Sequence, residues 1–149
     1  MAALDAPQNS VAEFQTLREE WLSRLDSLVQ SIQTWAEELG WSTRRIDVRM
    51  EDSELGNYHA PALLLQDANL RVLLEPIARF APGTEGIVDL YRMPAYDDIA
   101  NLYFCDGGWQ LHYVSPTVSA VDPSREVPSQ PLSKDTFREI LEQMKQHAA

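Results

Sequence analysis

An α+β fold is predicted: a long N-terminal helix laid across an antiparallel meander of five or six strands and closed by a short C-terminal helix, in one domain over residues 10–149. Three features predict it. A heptad-spaced apolar stripe runs through residues 11–39, alternating apolar and polar residues recur from 45 to 113 between short turn signals, and an apolar helical face returns at 137–144. At 149 residues and 44% hydrophobic composition, one such domain can bury a stable core without disulfides or metal.

Residues 1–9 are expected to be a disordered tail. Ser10 and Glu13 then form an S-x-x-E capping box, and Gly40 supplies the left-handed stop about thirty residues later. Phe14, Trp21, Leu28 and Trp35 recur every seven residues; Leu17, Leu22, Val29 and Ala36 widen the stripe beyond a coiled-coil seam, so it should pack on a sheet.

In the first strand Ile46, Val48 and Met50 alternate with Arg45, Asp47 and Arg49, a half-buried pattern suited to an edge. Residues 61–66 and 70–77 flank a turn at Asp67-Ala68-Asn69, and Pro82 to Gly86 turn the chain into residues 87–93. Pro94 to Asp98 return it to a hairpin over 101–115, where Gly107-Gly108 should be the two-residue turn. That register pairs Asp106 with Trp109, Phe104 with Leu111 and Tyr103 with His112. Connections this short favour antiparallel neighbours. Four prolines in residues 115–131 mark an extended linker, and Ser133 caps the last helix, whose Phe137, Ile140, Leu141 and Met144 share one face.

Charge and composition narrow the function. Twenty-three acidic against 12 basic side chains give a formal charge of -11, the wrong sign for holding phosphates, so no nucleic-acid partner is expected. Both lysines, Lys134 and Lys145, lie in the last segment, which leaves the strands without a Schiff-base or P-loop lysine. The lone Cys105 cannot form an internal disulfide; with no apolar run near 18 residues and no signal-like start, a cytoplasmic chain that does not enter membranes is expected. His59, His112 and His147 are too scattered for a metal motif, and Asp97-Asp98 lacks a calcium-loop pattern, so no metal or cofactor is expected.

The strand alternation places Ile46, Val48, Met50, Val72, Leu74, Val88, Leu90, Leu102, Phe104, Trp109, Leu111 and Tyr113 toward the helix. Glu75, Asp89, Tyr91, Tyr103, Gln110 and His112 fall on the opposite, semi-polar face with Asp47, Arg49, Leu73, Ile77 and Met93. Aromatics mixed with carboxylates suit a binding surface. The expected function is therefore a non-enzymatic acidic module, of an immunity, antitoxin or chaperone kind, that takes a basic protein partner on this face. In element order, size and acidity the chain resembles the class I chaperones of bacterial type III secretion, whose sheet is interrupted by a central helix; no such helix is predicted here and no residue role is carried over. The alternative is a small hydrolase-type enzyme with His112 as general base, oriented by Asp89 or Glu75.

A helix of thirty residues is about 45 Å long, whereas five strands make a sheet only about 24 Å wide. Phe14, Leu17 and Trp21 at one end, or Trp35 at the other, should therefore overhang and pair in a homodimer unless the C-terminal helix covers them.

Overall fold

The computed structural model describes the backbone of residues 2–114 and 128–148 and the side chains of residues 11–114 and 128–148. The chain runs α1 (Ala2–Glu38), β1 (Ser42–Asp52), β2 (Gly56–Asp67), β3 (Leu70–Ala78), β4 (Ile87–Arg92), β5 (Asp97–Cys105), β6 (Gly108–Tyr113), β7 (Gln130–Pro131) and α2 (Lys134–Ala148). The α+β architecture is as expected, with seven antiparallel strands among the described residues, in sequential order, instead of five or six. The added strand, β7, comes from the end of the expected proline-rich linker and pairs Gln130 and Pro131 with β6; residues 115–127 of that linker lie outside the described residues.

Helix α1 begins at Ala2, so Ser10 stands within it and does not cap it. Ala2, Ala3, Leu4 and Ala6 are strong helix formers, which a search for the first capping box passes over. Its C-terminus is as expected. Gly40 at φ 90° lets Gly40 N donate to the Glu37 carbonyl and Trp41 N to the Ala36 carbonyl at 2.9 Å, a Schellman close that brings Trp41 onto Ala36 in the core. Ser133 caps α2 as expected: its Oγ accepts from Thr136 N at 3.2 Å, and Thr136 Oγ1 accepts from Ser133 N at 2.9 Å.

Both helices pack on one face of the sheet. Trp21, Leu25, Leu28, Val29 and Ile32 of α1 and Phe137, Ile140, Leu141 and Met144 of α2 share a single core with Leu63, Leu65, Val72, Leu74, Val88, Leu90, Leu102 and Leu111. Trp35 and Phe137 touch across the helix pair, with ring centroids 6.1 Å apart.

Among the described residues, Trp21 and Trp35 of the α1 stripe pack within their own chain, in place of the expected overhang. Trp21 is fully buried within its own chain and donates to Tyr58 Oη at 3.0 Å, and Trp35 is half-buried against α2. Phe14 and Leu17 are half-buried against the same core. The sheet offers more room than its width suggests because β1 and β2, at 11 and 12 residues, are about twice the usual strand length of roughly five to six. β2 pairs with β3 only over Leu63–Asp67, so the remainder of the β1–β2 hairpin projects as a two-stranded ribbon. Such ribbons twist strongly, which carries Val48, Met50, Tyr58 and Ala60 to the helix and lets Arg18 donate to the Leu55 carbonyl at 3.0 Å. It also explains why Ile46, expected toward the helix, packs behind the sheet beside Ala62. Pro61 is tolerated inside β2 because that stretch has only one neighbouring strand.

The hairpin turn is Asp106-Gly107, at φ 52° and 78°, and not Gly107-Gly108. Asp accepts the left-handed conformation well enough to serve as the first residue of a type I′ pair, which leaves Gly108 in the strand. Phe104 therefore faces Trp109, Tyr103 faces Gln110 and Asn101 faces His112. Sliding the turn by one residue changes every partner but keeps each side chain on its face, because both strands shift by whole pleats relative to each other.

Candidate functional site

Behind the sheet lies a second, smaller apolar cluster: Ala62, Leu73 and Tyr91, with Ile46, Val48, Leu64, Met93 and Ile99 half-buried around them. Among the described residues, none from either helix belongs to it. Around this island the strand register sets a polar row, Glu75 on β3 opposite Asp89 on β4, and Asn101 on β5 opposite His112 on β6, with Asp89 also opposite Asn101.

The carboxylates in this row are occupied. Asp89, almost fully buried, accepts from Asn101 Nδ2 at 2.8 Å through Oδ1 and from the Tyr96 hydroxyl through Oδ2. Glu75 accepts from the Tyr91 hydroxyl at 3.0 Å. Tyr96 in turn lays its ring edge-on to Tyr91, centroids 4.5 Å apart, closing one side of the island. The alternation of side chains thus brings Glu75, Asp89 and Tyr91 together as expected. It does not bring His112 to either acid, since Asn101 intervenes and two strand spacings amount to about 10 Å. Tyr103 bonds the Ser129 side chain, and Gln110 lies between Tyr103 and Pro131 in the pairing.

These contacts disfavour tyrosinate. The hydrogen bond to the Asp89 carboxylate, then burial and the Asp89 charge, pushes the Tyr96 phenol up to about 12; burial, then the bond and charge of Glu75, pushes Tyr91 up to about 12. Burial also raises Tyr58 and Tyr113. A folded phenol pKa above the unfolded value near 10 contributes stability that is complete below about pH 10 and is lost as pH rises toward 12. Denaturant titrations should show stability constant from neutral pH to about 9.5 and falling above pH 10. A flat profile to pH 11.5 would contradict the tyrosine–carboxylate contacts.

Sequence reading missed a second cluster, on the helix side. β5 carries an extra residue against β4 between Asp97 and Ala100, with Asp98 at φ 53°. This bulge accompanies a buried Asp98 carboxylate that accepts from the Tyr113 hydroxyl and lies 2.7 Å from His147 Nδ1 on α2. It pins the last turn of α2 to the sheet. Neighbouring Asp97 stays exposed and pairs with Arg92 at 2.9 Å, a bond that holds its carboxyl below the usual carboxylate range. Beside it opens a cleft of about 540 Å³ lined by the β2–β3 turn, the β4–β5 loop and the end of α2. Its cations are already matched, Arg92 to Asp97 and Lys145 to Asp67 at 2.6 Å, so the cleft presents no uncompensated charge. No alternation signal marks Tyr96 or Asp98, because loop and bulge residues depart from the strand period, and His147 comes from a helix distant in sequence.

Among the described residues of this face, Glu75 and Asp89 accept from Tyr91, Tyr96 and Asn101 and not from His112. Among the described residues no group of three or more His, Cys, Asp or Glu is placed to hold a metal, and no helix is long and apolar enough to cross a membrane. No protein-family model, curated protein or solved structure matches the chain.

Proposed function

We propose that the protein is a non-enzymatic, cytoplasmic, acidic protein-binding module, in the manner of a small immunity, antitoxin or chaperone protein, that takes a basic partner on the back of its sheet. The observation that carries this reading is the apolar island around Leu73 and Tyr91, to which no described residue of either helix contributes. Half-buried Leu64, Met93 and Ile99 give it an apolar anchor of the kind that dominates binding energies, with Glu75 and Asp89 beside it and a chain charge of -11 to attract a cation-rich surface. The hydrolase-type alternative through His112 gains no comparable support, because the acids meant to orient the imidazole accept from Tyr91, Tyr96 and Asn101 instead.

The immobilised full chain, exposed to an extract of its own host, should retain a protein of basic composition that can be identified and purified. Leu64→Glu with Ile99→Glu, checked for native folding, should weaken that complex by about tenfold or more. Association should slow as ionic strength rises to the physiological range, where screening limits the field to about 8 Å. A purified partner bound equally by parent and variant, or one whose association ignores salt, defeats the proposal.

A further inference from the structure

Strand β1 is the outermost strand of the sheet, and among the described residues no backbone group bonds to its outer edge. Open edges of this length are usually blocked by prolines, bulges or charged side chains. β1 has no proline and is paired with β2 without a register break; it is charged, but its charges change sign along the strand and can be matched by a partner strand. Residues 44–52 read Arg-Arg-Ile-Asp-Val-Arg-Met-Glu-Asp.

We propose that β1 is a homodimerisation edge, which pairs antiparallel with β1 of a second copy of this chain about a two-fold axis at Val48. In that register Arg44 faces Asp52, Arg45 faces Glu51, Asp47 faces Arg49, Ile46 faces Met50 and Val48 faces itself. Each unlike pair occurs twice by symmetry, so every charge in the segment meets its opposite and every apolar residue meets an apolar one. The registers one pleat away on either side fail. Centred on Asp47, the strand sets Arg45 against Arg49 twice and Asp47 against itself; centred on Arg49, it sets Asp47 against Glu51 twice and Arg49 against itself. Directly opposed like charges destabilise an antiparallel pair, so the pattern selects one register and rejects its neighbours.

The side chains are available for this role. Arg44, Arg49 and Glu51 are exposed, and no ion pair engages them among the described residues. Arg45 and Asp47 carry exposed pairs to Asp26 and His59, which a second acid or base can join. Ile46, Val48 and Met50 are half-buried, so a partner strand would cover the remainder of each. A two-fold of this kind gives an isologous interface that closes on itself, and a closed dimer removes the edge that would otherwise recruit further strands.

Sedimentation equilibrium of the full chain at tens of micromolar should give twice the 16.9 kDa chain mass. Arg49→Asp, which opposes Asp47 with a carboxylate at two symmetric places, should raise the dimer dissociation constant by about tenfold or more. Exchanging the two charges, Asp47→Arg with Arg49→Asp, restores complementarity and should return the constant to within about threefold of the parent. A 16.9 kDa species up to roughly 100 µM overturns the proposal. So does a dimer that Arg49→Asp leaves intact, or one that the exchange fails to restore while circular dichroism confirms the native fold.

Discussion

Trp21→Ala should lower stability by about 4 kcal/mol, the range for emptying a large buried aromatic site, and depress the melting temperature by about 10 °C. The indole is fully buried at the centre of the single core, and its ring lies 6.5 Å from that of Trp109 on β6. Its Nε1 donates to the Tyr58 hydroxyl, so truncation also leaves that phenol without its donor at the projecting ribbon. The loss should be independent of protein concentration, because the ring serves packing within one chain. Chemical denaturation at two concentrations decides this: a loss below 1 kcal/mol, or one that vanishes on dilution, would mean that Trp21 packs elsewhere.

Gly86→Ala should cost about 3 kcal/mol, far more than one methyl group usually does. A Cβ at this position would stand 2.3 Å from Trp21 Cζ3 and 2.9 Å from Cη2, on a ring that has no free volume to retreat into. The backbone there is at φ 153°, a conformation that side chains rarely adopt, and it is anchored by Gly86 N donating to Thr84 Oγ1 and by Phe104 N donating to the Gly86 carbonyl at 2.9 Å. Strain and overpacking therefore add. A double-mutant cycle separates them, since in a Trp21→Leu background the steric part should disappear and the cost of Gly86→Ala should fall by half or more. Equal costs in both backgrounds would leave only the backbone conformation as the cause.

These two positions mark where local reading stops. Gly86 looks like one more turn residue after Pro82-Gly83, and Trp21 like one ring in a heptad stripe. Only their meeting across 65 positions of sequence makes each irreplaceable by the other's neighbours, and no periodicity carries that information. The candidate site divides in the same way. Glu75, Asp89 and Tyr91 share a face because strand side chains alternate, so their common surface was legible. Tyr96 and Asn101, which occupy the Asp89 carboxylate, enter from the β4–β5 loop and from the β4–β5 register.

By itself the sequence determined the order of elements, the antiparallel meander, the Gly40 and Ser133 helix ends, most of the core face and the charge of the surface. Each follows from interactions within a few residues or from the period of a helix or strand. The tertiary structure alone decided that α2 lies beside α1, which leaves the back of the sheet to the Leu73 and Tyr91 island. It also decided that the β1–β2 ribbon meets α1 at Arg18 and Trp21, and that a bulge carries Asp98 to His147. The physical reason is common to all three. Where two apolar faces meet, how far a ribbon twists and which side a bulge re-aims depend on packing between segments distant in sequence, and that packing has no local signature.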